Sequence, residues 1–141
     1  MKGYWIAGIT ALCLSFSVAA EEFIEDVNYV ALSKPQTTQT GNRIEVLELF
    51  WYHCPHCYRL EPYLNRWLKN LPEYIEFIRI PAILTKSWEF DARVYYTFEA
   101  LGVSKMLHEA YFDAIHKERR PFVTEEQVAG WAGEHGVERQ A

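Results

Sequence analysis

Cysteine is nearly absent from this chain: 141 residues carry three. Cys13 lies in an apolar N-terminal run, so the rest of the chain holds one close pair, Cys54 and Cys57. A disulfide-stapled scaffold uses four or more cysteines spread along the sequence, and that class is excluded. No apolar run reaches the roughly 20 residues that a membrane-spanning helix needs. Basic residues are also in deficit, 14 against 19 acidic for a net charge of −5. A nucleic-acid binder normally carries a basic patch, so no nucleic-acid partner is expected. There is no internal repeat and no low-complexity tract.

What is present begins with a leader. Lys2 precedes an apolar stretch from Tyr4 to Val18, and Val18-Ala19-Ala20 forms a small-residue cleavage site before Glu21-Glu22. This is the pattern of a secretory signal over residues 1–20. Cleavage after Ala20 removes Lys2 and Cys13 and takes the net charge from −5 to −6. Disulfides persist outside the cytosol, so export makes sulfur chemistry at Cys54 and Cys57 plausible. The loop that the pair would close is too small to constrain the fold, which makes it reactive rather than structural.

The periodicities predict a strand–helix–strand half followed by helices. Phe23 to Leu32 could hold a short edge strand, and Gln36 to Asn42 reads as a loop. Ile44 to Tyr52 is apolar on both faces, as in a buried central strand. Cys57, Leu60, Leu64, Trp67, Leu68 and Leu71 recur at helical spacing until Pro72. Tyr74 to Ile80 gives a second strand, with Pro81 as its terminator. Two strands joined through a helix imply a parallel crossover. Beyond Pro81, Ser87 and Ser104 are the expected caps of two helices, and Thr124-Glu125-Glu126-Gln127 is a capping box for a third. His108, His116 and His135 fall on these helices and read as surface or packing residues.

Cys54-Pro55-His56-Cys57 carries the chemistry. Residues three apart on a helix share a face, close enough for a disulfide. Pro55 suits the first helical position, which puts Cys54 at the positive end of the helix dipole. That setting favours a thiolate, and His56 can add charge or a hydrogen bond. Stabilising the reduced form makes the disulfide a stronger oxidant. The redox-active disulfide is then its own cofactor, and no other cofactor or metal is expected. Cys54 is the expected nucleophile and Cys57, one turn in, its buried partner. Glu48, interrupting an apolar strand, and Glu61, four residues after Cys57, are candidate buried acids able to carry a proton. A zinc site wants four ligands, and the crowded His53, Cys54, His56 and Cys57 wrap an ion poorly.

The stretch from Val46 to Tyr58, with Glu61 and Pro62 after it, resembles the DsbA family of periplasmic thiol:disulfide oxidoreductases. The resemblance covers roughly residues 23 to 141. It implies an α/β thioredoxin-like fold with an inserted α-helical domain: a signal peptide at 1–20, the first part of the thioredoxin-like domain at 21–81 with the motif, and part of the helical insertion at 82–141. The family's later loop with a cis-proline, and the strands and helix after it, have no counterpart here, so an incomplete fold is expected. Ile80-Pro81-Ala82 looks like that loop but stands before the helices. The resemblance further implies a periplasmic enzyme that oxidises reduced exported proteins, is reoxidised by a DsbB-like membrane partner, and uses Cys54, Cys57, His56, Pro55, Glu48 and Glu61. The alternatives are a reductase or isomerase of the same fold, and an inactive or metal-binding fragment.

Overall fold

The computed structural model describes residues 22–138, so the leader and Cys13 lie outside the described residues. These fall into a short unit up to Thr37 and a larger one from Thr38 onward. In the short unit the expected edge strand does not form. Asp26, with φ 64°, turns the chain, its N–H donates to the Tyr29 carbonyl at 2.7 Å, and a single bridge joins Glu25 to Tyr29. A segment folded on itself this tightly cannot also run extended.

The larger unit starts with β1 (Ile44–Phe50), α1 (Pro55–Leu68) and β2 (Ile75–Pro81). The strands are parallel and in register from Ile44↔Ile75 to Phe50↔Pro81. Pro81 is the last paired residue, as a residue without an N–H can be at a strand end. β1 differs from the fully buried strand expected. Glu48 and Phe50 point inward, whereas Leu47 and Leu49 are 48% and 68% exposed. Alternate residues face opposite sides, and among the described residues the second face of this two-stranded sheet is open.

Three helices follow: α2 (Glu89–Ala100), α3 (Ser104–His116) and α4 (Glu125–Glu134). The serine caps do not form. A 3-10 turn at Lys86–Trp88 runs straight into α2, so Ser87 meets only the Thr85 hydroxyl at 2.8 Å. Ser104 is already the first residue of α3, behind Val103 at the cap. The α4 capping box is present: Thr124 Oγ1 accepts from the Gln127 N–H at 3.3 Å, and Gln127 Oε1 accepts from the Thr124 N–H at 3.1 Å.

The core is aromatic. Phe50 and Tyr52 from the strand end meet Tyr95 and Phe98 of α2, Leu107, Tyr111 and Phe112 of α3, then Phe122, Val128 and Trp131. Tyr111 stacks on Phe122 at 4.8 Å and meets Tyr52 edge-on at 4.7 Å. The turn that carries the cysteines is thus rooted in the helical core. Thr124→Ala removes one cap and should lower stability by about 1 kcal/mol. Urea denaturation checks this, with the midpoint falling and the slope unchanged.

Candidate active site

Cys54 occupies the N-cap of α1 with extended backbone, φ −81° and ψ 113°. Its Sγ accepts from the Cys57 N–H at 3.3 Å, taking one of the donors that a helix start leaves unpaired. Pro55 fills the first helical position, where a missing N–H costs nothing. Upstream, the Cys54 N–H donates to the Trp51 carbonyl at 2.9 Å, which closes the turn between β1 and α1. Both cysteines are free thiols and both are half-buried, so Cys57 is less enclosed than expected.

The environment separates the two sulfurs. Burial pushes the Cys54 thiol up. The Cys57 thiol, the N–H groups of Cys57 and His56 and the charge of Arg59 outweigh it and hold Cys54 below its ordinary 9.0. Cys57 goes the other way. Burial, its hydrogen bond with Cys54 and the charges of Cys54 and Glu48 push it up to about 11, against a weaker pull from the Trp51 backbone.

Beneath the pair lies a buried charge cluster centred on Arg79. Its Nε donates to Glu48 Oε2 at 2.8 Å and its Nη2 to Glu61 Oε2 at 3.0 Å. Glu61 is 2% exposed. Desolvation raises the Glu48 pKa above 4.5; Arg79 pulls it down and Glu61 pushes it up. The sequence reading selected both acids but missed Arg79. The signal was available: Arg79 interrupts the apolar Phe77-Ile78-Arg79-Ile80 as Glu48 interrupts β1, and the strand register pairs them.

His108, read as a surface or packing residue, is packed on Phe50 and Phe112 and also joins this cluster. Its Nδ1 is 3.0 Å from the Tyr52 hydroxyl and its Nε2 is 3.4 Å from Glu61 Oε1. Only tertiary packing brings α3 to this point. His116 donates from Nε2 to the Tyr52 carbonyl at 2.8 Å. His53 sits 2.7 Å from the Asp91 carboxylate. The exposed His56 accepts at Nδ1 from Arg59 at 2.8 Å, so Arg59 supplies the fixed charge beside the motif. Among the described residues no group of three or more His, Cys, Asp or Glu could hold a metal ion.

A cysteine capping a helix, a second one turn inside and a parallel strand on either side define a dithiol centre on a thioredoxin-like unit. The comparisons agree. Thiol:disulfide interchange protein DsbA of Pseudomonas aeruginosa is 35% identical over 142 aligned positions, covering 99% of this chain and 67% of that protein. Its counterpart in Azotobacter vinelandii is 39% identical over 120, covering 85% and 53%. The crystal structure of Pseudomonas aeruginosa DsbA superposes with a TM-score of 0.72 and 40% identity, over 77% of this chain and 57% of that one. No family model matches. The chain belongs to the DsbA family, with its α/β thioredoxin-like fold and inserted helical domain. It spans about two thirds of the Pseudomonas aeruginosa relative and under 60% of that solved chain.

Glu48 yields a stability prediction. Its native pKa lies above 4.5, so the folded protein keeps this proton longer than the unfolded chain. Stability therefore falls as pH rises from about 4.5 through the native value. Glu48→Gln lacks that loss, so its stability relative to the wild type should climb across the same window. Urea denaturation between pH 4 and 8 checks it; a difference independent of pH would contradict the raised carboxyl.

Proposed function

We propose that this chain is an exported protein thiol:disulfide oxidoreductase that donates the Cys54–Cys57 disulfide to reduced proteins folding in the periplasm. The single observation that carries the direction of reaction is the opposed shift of the two thiols, Cys54 held down and Cys57 pushed to about 11. A stabilised Cys54 thiolate is a good leaving group and stabilises the reduced form, which makes the disulfide oxidising. Family membership supports the same chemistry.

In the forward half-reaction a substrate thiolate attacks Cys54 Sγ. A new sulfur–sulfur bond forms, the Cys54–Cys57 bond breaks, and its electron pair goes to Cys57, which takes a proton. A second substrate thiolate then attacks the substrate sulfur of the mixed disulfide, and Cys54 departs as a thiolate. The substrate loses two electrons and the protein's disulfide gains them. With Pro55 at the first helical position, the N–H groups of His56 and Cys57 hold the thiolate at the helix start. Glu48, whose carboxyl is raised above 4.5, supplies a carboxyl reservoir for the Cys57 proton, and Glu61 holds the Arg79 that faces it. A DsbB-like membrane oxidase would return the pair to the disulfide.

Two measurements test this reading. At pH 7, iodoacetamide should alkylate Cys54 in strong preference to Cys57, because Cys54 is held below its ordinary value while Cys57 is pushed up to about 11, so the thiolate present is mostly that of Cys54. Titration against glutathione should give a potential well above thioredoxin's, which is about −270 mV. A value near thioredoxin's would favour the reductase reading. Cys57→Ser should accumulate mixed disulfides with substrate proteins, and Cys54→Ser should form none through the motif.

A further inference from the structure

Glu61 and Asp91 are the two most deeply buried acids among the described residues, 2% and 3% exposed. Glu61 has the Arg79 guanidinium as its partner. Asp91 has no such cation. His53 takes its Oδ2 at 2.7 Å, and its Oδ1 is buried without a partner. Arg93, two residues along α2, pairs instead with Glu125 at 3.7 Å, and its guanidinium lies 5.8 Å from the Phe90 ring. A buried carboxylate oxygen left without a donor is costly, and the fold itself does not supply one.

Asp91 lines a cavity of about 330 Å³ together with Trp51, His53, Phe90, Phe122 and Val123. No lysine or arginine is among the lining residues. Trp51 is held in place by stacking on Trp88, 4.1 Å away and within 7° of parallel. The cavity adjoins the dithiol. His53 directly precedes Cys54, and the Trp51 carbonyl accepts from the Cys54 N–H at 2.9 Å. An acid among aromatic side chains suits an ammonium or guanidinium, which is attracted both by the charge and by the ring faces. Trp51 adds a second unpartnered group, its buried Nε1 donor. A free amine answers the acid alone. One residue of a polypeptide brings a cation in its side chain and a carbonyl acceptor in its backbone.

We propose that this cavity is a subsite for a lysine or arginine side chain of the reduced polypeptide, one or two residues from the cysteine that attacks Cys54. An extended chain advances about 3.3–3.6 Å per residue, which keeps such a side chain within reach of a cavity walled by the residues just before Cys54. Asp91 recognises the charge, and the rings of Trp51, Phe90 and Phe122 pack on the side-chain stem. Asp91 is thus a specificity-determining residue and not a catalytic one. The inference rests on the reading of Cys54 as the sulfur that substrate thiols attack.

The test uses pairs of cysteine peptides that carry arginine, or its uncharged isostere citrulline, one or two residues to either side of the cysteine. The rate at which each reduces the oxidised protein gives an arginine-to-citrulline ratio. At the best position the ratio should be about tenfold, the size of one charge-assisted hydrogen bond. Equal rates at every position overturn the proposal. Asp91→Asn keeps an acceptor for His53 and removes the charge, so the ratio should fall to near one whatever happens to the absolute rates. Glu99→Gln removes the same charge from an exposed site on α2 outside the cavity, and the ratio should stay. An equal fall in both variants would mark a response to net charge alone and overturn the subsite. Should Asp91→Asn fail to fold, the wild-type protein decides through the assigned indole N–H signal of Trp51. A peptide with serine in place of cysteine should move that signal when it carries arginine and not when it carries citrulline; an unmoved signal rejects the subsite. This last readout needs no exchange. A protein without exchange activity that shows the shift would retire the proposed function and keep this inference.

Discussion

The Arg79 guanidinium holds the crossover unit together. It takes one carboxylate from β1 and one from α1 while standing on β2, so all three elements of the crossover unit meet at one charge. Burying these groups is expensive, and removing the cation alone would leave two buried carboxylates facing each other. The register that puts Glu48 opposite Arg79 is therefore held by more than apolar packing. Glu61 lies one turn beyond Cys57, so the same charge also fixes the rotation of α1 and aims its first turn. The placement of Cys54 at the end of the strand follows.

From that placement the two sulfurs acquire different chemistry with few special parts. Cys54 receives N–H groups that any helix start leaves unpaired, plus the charge of Arg59 on the next turn. Cys57 has already paired its own N–H with Cys54 and faces the acid side of the cluster. One side chain is stabilised as an anion and its neighbour as a thiol. The difference of position is a single turn of helix. It is a property of the helix terminus, which explains how a four-residue motif can carry it.

That local character is why the motif, the cap and the crossover were legible in the sequence. Pro55 at the first helical position, the capping box at Thr124 and the apolar runs of β1 and β2 each write a short-range rule into neighbouring residues. Glu48 and Glu61 were legible for a related reason, as charges set where apolar residues or a sulfur's helix face were expected. Long-range features were not legible. Ser87 and Ser104 are good capping residues, but a 3-10 turn and an earlier helix start displaced them. The edge strand at Phe23 to Leu32 failed because a turn at Asp26 satisfied its backbone locally. His108 looked like any helical histidine, since its environment comes from β1, α1 and the following turn, dozens of residues away.

Those same long-range contacts explain why the helices belong to the site rather than beside it. The turn between β1 and α1 is held from three directions. Asp91 of α2 takes His53, His116 of α3 donates to the Tyr52 carbonyl, and His108 of α3 takes the Tyr52 hydroxyl. Tyr52 itself is fully buried among Phe50, Tyr111 and Phe112. A turn pinned at this many points cannot relax when a thiolate appears or disappears at Cys54. Dipoles that do not reorganise stabilise charge at no further cost at the moment of reaction. The strand–helix–strand unit supplies the sulfurs and their polarity, and α2 and α3 supply the rigidity that keeps that polarity available.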